Sequence, residues 1–139
     1  MNKKPITKPL PAKEIAKYFE AKIQAEWGPY DLKRHSESSP GQITILDVRD
    51  KESFSKEHIP GAVNIPLKEL PARAKELSKN HDIVTYCWTI TCSLAPKAAL
   101  WLSQKGYKAH ELVGGIGIWK EYKMPVESAS SRSAVAAAN

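Results

Sequence analysis

Cys87 and Cys92 are the chain's two cysteines, and they bracket the run Cys87-Trp88-Thr89-Ile90-Thr91-Cys92 that leads from an apolar segment into Ser93 and a helical pattern. A cysteine thiolate is a soft, polarisable nucleophile. Position adds to this. A helix N-terminus presents unpartnered backbone N–H groups and a partial positive charge, so a thiolate facing it is favoured over the thiol. In such settings a cysteine pKa falls from about 8.5 into a range of roughly 3.5 to 7.5. Cys87 is therefore expected to be reactive, with the amides of residues 88 to 92 curled into a cup for an anion. Ser93 fits the helix N-cap, and Pro96 falls in the first turn, where its missing N–H costs no intrahelical bond. His35, His81 and His110 lie outside metal-like spacing and no histidine adjoins the cysteines, so no metal and no cofactor is expected.

These residues need a scaffold that sets a strand end against a helix start. With 139 residues, 42% of them hydrophobic, the chain suits one domain with a real core. We place it at residues 12–126, between a flexible arm at 1–11 and a disordered Ser/Ala-rich tail at 127–139. Ile15, Phe19 and Ile23 recur every fourth position from Ala12, with Tyr18 and Trp27 beside them, which predicts an amphipathic helix ending near Gly28-Pro29. Tyr30 to Gly41 reads as a polar connection ending in a turn. Strands are predicted at Ile43–Val48, Ala62–Ile65, Ile83–Tyr86 and Tyr107–Val113. Between them lie helical patterns at Lys51–Glu57, Leu67–Leu77 (broken at Pro71) and Ser93–Gly106, and Ile116–Tyr122 follows the last strand. Such alternation implies crossover connections, a mainly parallel sheet and helices on both faces. Ligands of such sheets sit beyond the carboxyl ends of the strands, which is where Cys87 falls.

Charge and composition exclude several classes. The formal net charge is +6, but the 21 Lys and Arg are spread along the chain, which argues against a nucleic-acid groove. No run approaches about 18 uninterrupted apolar residues and no apolar stretch follows the first lysines, so neither membrane association nor export is expected. Two cysteines in one loop are no secreted disulfide framework, and a cytoplasmic, reducing location is expected.

Four pieces in order resemble the rhodanese-like family of sulfurtransferase domains. They are Leu46-Asp47-Val48-Arg49 with Glu52 and Phe54; His58-Ile59-Pro60-Gly61-Ala62 with Asn64-Ile65-Pro66; the strand and cysteine loop; and Leu112 to Gly115 with Trp119. The resemblance covers Ile43 to about Val126. It implies a rhodanese-like three-layer α/β/α fold and a sulfur-transfer cycle. Cys87 aligns with the nucleophile, which takes sulfane sulfur from a small donor as a persulfide and yields it to a thiol or a protein acceptor. Members that turn over thiosulfate commonly carry Arg or Lys in the loop and a glycine near its middle. This loop has neither, so a donor other than free thiosulfate is expected. The related phosphatases use Cys-x5-Arg, and Ser93 stands where that arginine would be.

Other residues are weighed against plainer roles. Cys92 either resolves a persulfide or sulfenate on Cys87, making a reversible thiol and disulfide couple, or is a small hydrophobe at the base of the helix. Trp88 either walls the site or packs on a helix. Asp47 and Arg49 are expected to be structural, Arg49 pairing with a carboxylate such as Glu52 or Glu57, and His58 is expected to brace its turn. Two functions are compatible with these residues: a sulfurtransferase or persulfide carrier, or a non-catalytic redox-sensing or protein-binding module built on the Cys87/Cys92 pair.

Overall fold

A computed structural model describes residues 8–130. Its centre is a five-stranded sheet in the order β1-β5-β4-β2-β3, formed by β1 (Glu26–Trp27), β2 (Ile43–Asp47), β3 (Val63–Asn64), β4 (Asp82–Tyr86) and β5 (Lys108–Leu112). Every pairing is parallel. The helices are α1 (Ala12–Ala25), α2 (Pro29–Ser38), α3 (Lys51–Lys56), α4 (Leu70–Arg73), α5 (Leu94–Gln104) and α6 (Gly115–Glu121), with a 3-10 turn on either side of α4. Pro71 lies in the first turn of α4, so the expected break after Leu67 falls there.

The alternation of side chains along β4 divides the core. Ile83 and Cys87 join Leu46, Val48, Leu70, Ala98 and Leu102 on the α5 side of the sheet. Val84 and Tyr86 join Trp27, Leu32, Ile59, Ile116 and Trp119 on the other. Both faces are buried, so β4 reads as a nearly continuous apolar run. In register, Asp47 of β2 stands opposite Tyr86 of β4, and Val48 N–H continues the ladder to Tyr86 O at 3.1 Å. That register sets Asp47, Val48 and Arg49 beside Cys87.

The first forty residues differ from expectation. The first helix stops at Ala25, and Glu26–Trp27 pairs with β5, opposite Glu111 and Leu112. Trp27 is the reason: it is buried, with its ring stacked between His35 at 4.2 Å and His110 at 4.4 Å. The polar stretch expected as a connection is α2, started by Pro29 and capped by the Asp31 carboxylate, which accepts from Gly28 N–H at 2.8 Å. It buries only Pro29 and Leu32, too few to show a period. Nor does α1 bury any residue.

At the other end, Glu127 is held by the domain, although the tail is expected from the sequence to begin there. Backbone bonds of 2.8 and 2.9 Å join it to His58, and its carboxylate meets His58 Nε2 at 3.1 Å. Residues 1–7 of the expected arm and 131–139 of the expected tail lie outside the described residues. Among the described residues no helix is long and apolar enough to cross a membrane.

Candidate active site

The central strand β4 delivers Cys87 to its carboxyl end, and two anchors fix the path of the loop beyond it. On the α5 side, the Thr85 hydroxyl lies 3.0 Å from both Ala95 O and His110 O, tying the start of α5 to β4 and β5. On the α6 side, Cys87 O accepts from Ile116 N–H at 3.0 Å and Trp88 O from Gly117 N–H at 2.9 Å. This approach needs glycine. Gly115 has a φ of +58°, and a Cβ there would collide with the Cys87 carbonyl. Between these anchors the loop turns on itself, with Cys92 N–H donating to Thr89 O at 3.1 Å and the Thr89 and Thr91 hydroxyls 3.2 Å apart. Trp88, Thr89, Ile90 and Thr91 form an exposed rim.

The two sulfurs lie together beneath that rim. Both cysteines are free thiols, Cys87 only 2% exposed and Cys92 partly exposed. The Cys87 thiol points at Cys92 O, 3.7 Å away, and the two thiols influence each other's ionisation. Ser93 occupies the N-cap position of α5, but its side chain makes no capping bond. The amides of Trp88 and Ala95 favour the thiolate at Cys87, and those of Trp88 and Leu94 favour it at Cys92. The cup is therefore built partly from α5 itself rather than from residues 88 to 92 alone.

These surroundings correct the expected direction at Cys87. Burial pushes its thiol up to about 12, the neighbouring Cys92 adds to the rise, and the amides of Ala95 and Trp88 only partly oppose it. Burial also works against ionising Cys92. There, however, the hydrogen bond from the Cys87 thiol and the amides of Trp88 and Leu94 prevail, leaving Cys92 below the ordinary cysteine value. The amides at the helix start act on both sulfurs, but only at the less buried one do the favourable contacts outweigh burial.

Arg49 and Asp47 stand behind the rim as a buried pair, 1% and 0% exposed. Arg49 Nε lies 3.0 Å from Asp47 Oδ1 and Nη2 lies 2.7 Å from Oδ2, a two-pronged contact. The partner is thus Asp47, not Glu52 or Glu57. Glu57 gives Arg49 Nη2 its carbonyl at 2.6 Å and its carboxylate to Lys120 at 2.9 Å, while Glu52 pairs with Lys56. The guanidinium stacks 4.4 Å from the centre of the Trp88 ring, so Trp88 packs on Arg49 rather than on a helix. His58 stands apart from the loop: Nδ1 lies 2.7 Å from Phe54 O, its ring stacks on Phe54, and Nε2 meets Glu127.

The structure thus joins Cys87, Cys92 and the loop, backs Trp88 with Arg49 and Asp47, and leaves His58 elsewhere. Sequence reasoning missed Gly115, Gly117, Leu94 and Ala95 as parts of the site. The Gly114-Gly115 pair is the available signal, and by itself it reads only as a turn. Among the described residues no group of three or more His, Cys, Asp or Glu is placed to hold a metal ion.

Known proteins bear on this geometry. Residues 28–122 match the model of the rhodanese-like domain family. Over 87 residues the chain is 39% identical to the HTH-type transcriptional regulator Rv0324 of Mycobacterium tuberculosis, a match covering 63% of this chain and 38% of that protein. Over 85 residues it is 31% identical to a sulfurtransferase of Allochromatium vinosum, covering 60% of this chain and 78% of the relative. The crystal structure of BH2092 protein from Bacillus halodurans superposes with a TM-score of 0.76 at 34% identity, covering 86% of this chain and 88% of the other. The chain spans less than half the length of the regulator it matches.

Proposed function

Because the chain belongs to the rhodanese-like domain family, we propose that it is a sulfurtransferase-type protein that carries sulfane sulfur as a persulfide on Cys87. Relatives named sulfurtransferase or sulfur carrier support a sulfur-transfer role at the level of the family. The observation that carries the reading to this chain is the position of Cys87. It follows the central strand, where the amides of Trp88 in the loop and Ala95 at the start of α5 favour negative charge on its sulfur. In the proposed step the sulfur of Cys87 attacks the outer sulfur of a donor R–S–SH. A new S–S bond forms, the donor's S–S bond breaks, and R–S⁻ leaves with the electron pair. The thiol proton of Cys87 moves to the departing sulfur. Amides then face the negative charge of the persulfide, as donors aimed at developing charge do elsewhere.

Electrostatics select the donor. The loop from Trp88 to Ser93 holds no cation, and Arg49, behind Trp88, is already paired with Asp47 and bonded to Glu57 O. A doubly charged donor such as thiosulfate finds no free guanidinium in the loop, whereas the reacting –S–SH group of an organic persulfide carries at most one charge and depends less on a cation there. An organic persulfide is accordingly the proposed donor class, and a thiol or a protein thiol the proposed acceptor. The domain carrying the reaction is the expected 12–126 extended to Glu127, which pairs with His58, and cytoplasmic location is part of the same reading.

The burial of Cys87 favours one other reading, a redox-sensing or protein-binding module with no turnover. One experiment separates the two. The protein and Cys87→Ser are given glutathione persulfide, mercaptopyruvate or thiosulfate, and the leaving group (glutathione, pyruvate or sulfite) is quantified. The expected outcome is glutathione release by the native protein, little sulfite, and nothing above background from Cys87→Ser. If no donor yields its leaving group, or if Cys87→Ser matches the native protein, the sulfur-carrier reading is lost.

A further inference from the structure

Cys92 is the feature that a one-cysteine cycle leaves without work. It lies in the same loop as Cys87, held by the Cys92 N–H bond to Thr89 O, and the Cys87 sulfur lies 3.7 Å from the Cys92 carbonyl oxygen. It is the more exposed of the two sulfurs, and the Trp88 amide serves both. A thiol on the residue whose carbonyl the Cys87 sulfur already meets is closer at hand than any acceptor arriving from solution. Prior placement of this kind replaces an encounter in solution with an intramolecular step. An outer sulfur on Cys87 would also have to share the space beneath the Trp88–Thr91 rim with Cys92.

We infer that Cys92 is the resolving residue of the site, discharging the sulfur on Cys87 as hydrosulfide by closing a Cys87–Cys92 disulfide. This rests on the persulfide reading above. In the step, the Cys92 thiolate attacks Sγ of Cys87 in Cys87–Sγ–SH. The Sγ–Sγ bond forms, the Sγ–S bond breaks, and HS⁻ leaves with the electron pair and its proton. The sulfane sulfur is reduced to hydrosulfide, and the two cysteines are oxidised to the disulfide. A low-molecular-weight thiol or dithiol restores the pair by thiol–disulfide exchange, itself becoming a disulfide. The amides of Trp88 and Leu94 favour a thiolate at Cys92 independently of the Cys87 thiol, and Cys87, whose substituted sulfur no longer ionises, is the electrophile. Donor sulfur would then leave the site as free sulfide as well as by transfer to an acceptor.

The test uses the reduced full chain, freed of reductant and treated with one equivalent of glutathione persulfide, followed by intact mass, peptide mapping and sulfide assay. The native protein is expected to become two hydrogens lighter with a mapped Cys87–Cys92 disulfide and to release an equivalent of sulfide. Cys92→Ser and Cys92→Ala are expected to become one sulfur heavier at Cys87 and to release at least about tenfold less sulfide, a 1.4 kcal/mol difference if equilibrium-controlled. A native protein that stays one sulfur heavier, with Cys92 still open to alkylation, overturns the inference and leaves the sulfur-carrier reading standing. Equal sulfide release from the native and Cys92 variants also overturns it. If none of the proteins takes sulfur or loses hydrogens, the sulfur-carrier reading fails and this inference fails with it.

Discussion

At the residue scale, two opposing effects meet on two sulfurs. Amides at the start of α5 favour a thiolate, while burial favours a thiol, and Cys87 is buried enough for the second to win. The consequence is an order of reactivity. Brief iodoacetamide treatment near neutral pH is expected to label Cys92 before Cys87, read by peptide mass mapping, and Cys87 labelled first would refute the assignment. The Asp47–Arg49 pair lies on firmer electrostatic ground. Breaking a buried pair from one side strands a charge, at a cost of about 3–5 kcal/mol. A small domain has about 5–15 kcal/mol in total. Arg49→Ala leaves the Asp47 carboxylate buried without its cation, with the residue-49 backbone N–H, at 2.9 Å, still donating to it. Urea unfolding is expected to show a loss of that size, and a loss below about 1 kcal/mol would mean that Asp47 finds water or a new partner.

At the element scale, the site depends on α6 as much as on α5. The Gly114-Gly115 turn, with φ of +85° and +58°, starts α6 so that its first amides meet the carbonyls of Cys87 and Trp88. Gly115→Ala adds left-handed strain of roughly 1–2 kcal/mol and pushes on the Cys87 carbonyl. The expected result is a lower urea midpoint together with roughly a hundredfold slower glutathione release from its persulfide, since misplacement by an ångström costs about that much. Unchanged release in a folded variant would free α6 of any part in shaping the loop. Burial decides which elements are legible in the sequence. Strands β2 and β4 are buried enough that their apolar runs announce them, and Pro71, Pro96 and Gly106 punctuate the chain as read. By contrast β1 has two residues, and α2 buries two, so neither repeats long enough to show a period. The place of Cys87 is legible because it is local. Its raised pKa is not, because burial comes from Leu46, Val48 and Ala98, distant in sequence, and the reach of Gly115 into the loop comes from α6.

At the scale of the whole molecule, titration and packing each make a prediction. Burial pushes both Tyr86 and Cys87 upward, with the Asp47 carboxylate adding to the rise at Tyr86. The unfolded chain ionises its cysteines from about pH 8.5 while the folded chain keeps Cys87 neutral. Above that pH the folded state binds more protons, so stability falls as pH rises, by at most about 1.4 kcal/mol per group per unit. Urea midpoints are expected to drop between about pH 8 and about pH 10, less steeply in Cys87→Ala, and a flat profile would deny the burial effect. Packing concerns α1. The family match begins at residue 28, after α1 and β1, and the two core clusters on the sheet draw nothing from α1. Its apolar residues Ile15, Phe19 and Ile23 are 42%, 50% and 75% exposed. Periodicity identified the helix but not its burial, because an amphipathic pattern records what a helix could cover rather than what is there to be covered. Surface substitutions away from special features cost about 0.5 kcal/mol or less each. The triple replacement Ile15→Gln, Phe19→Gln and Ile23→Gln is therefore expected to shift unfolding free energy by less than about 1.5 kcal/mol and to leave glutathione release intact. A loss of several kcal/mol would show that α1 packs into the domain in solution, and the sheet with its two flanking layers would then no longer account for the fold's stability alone.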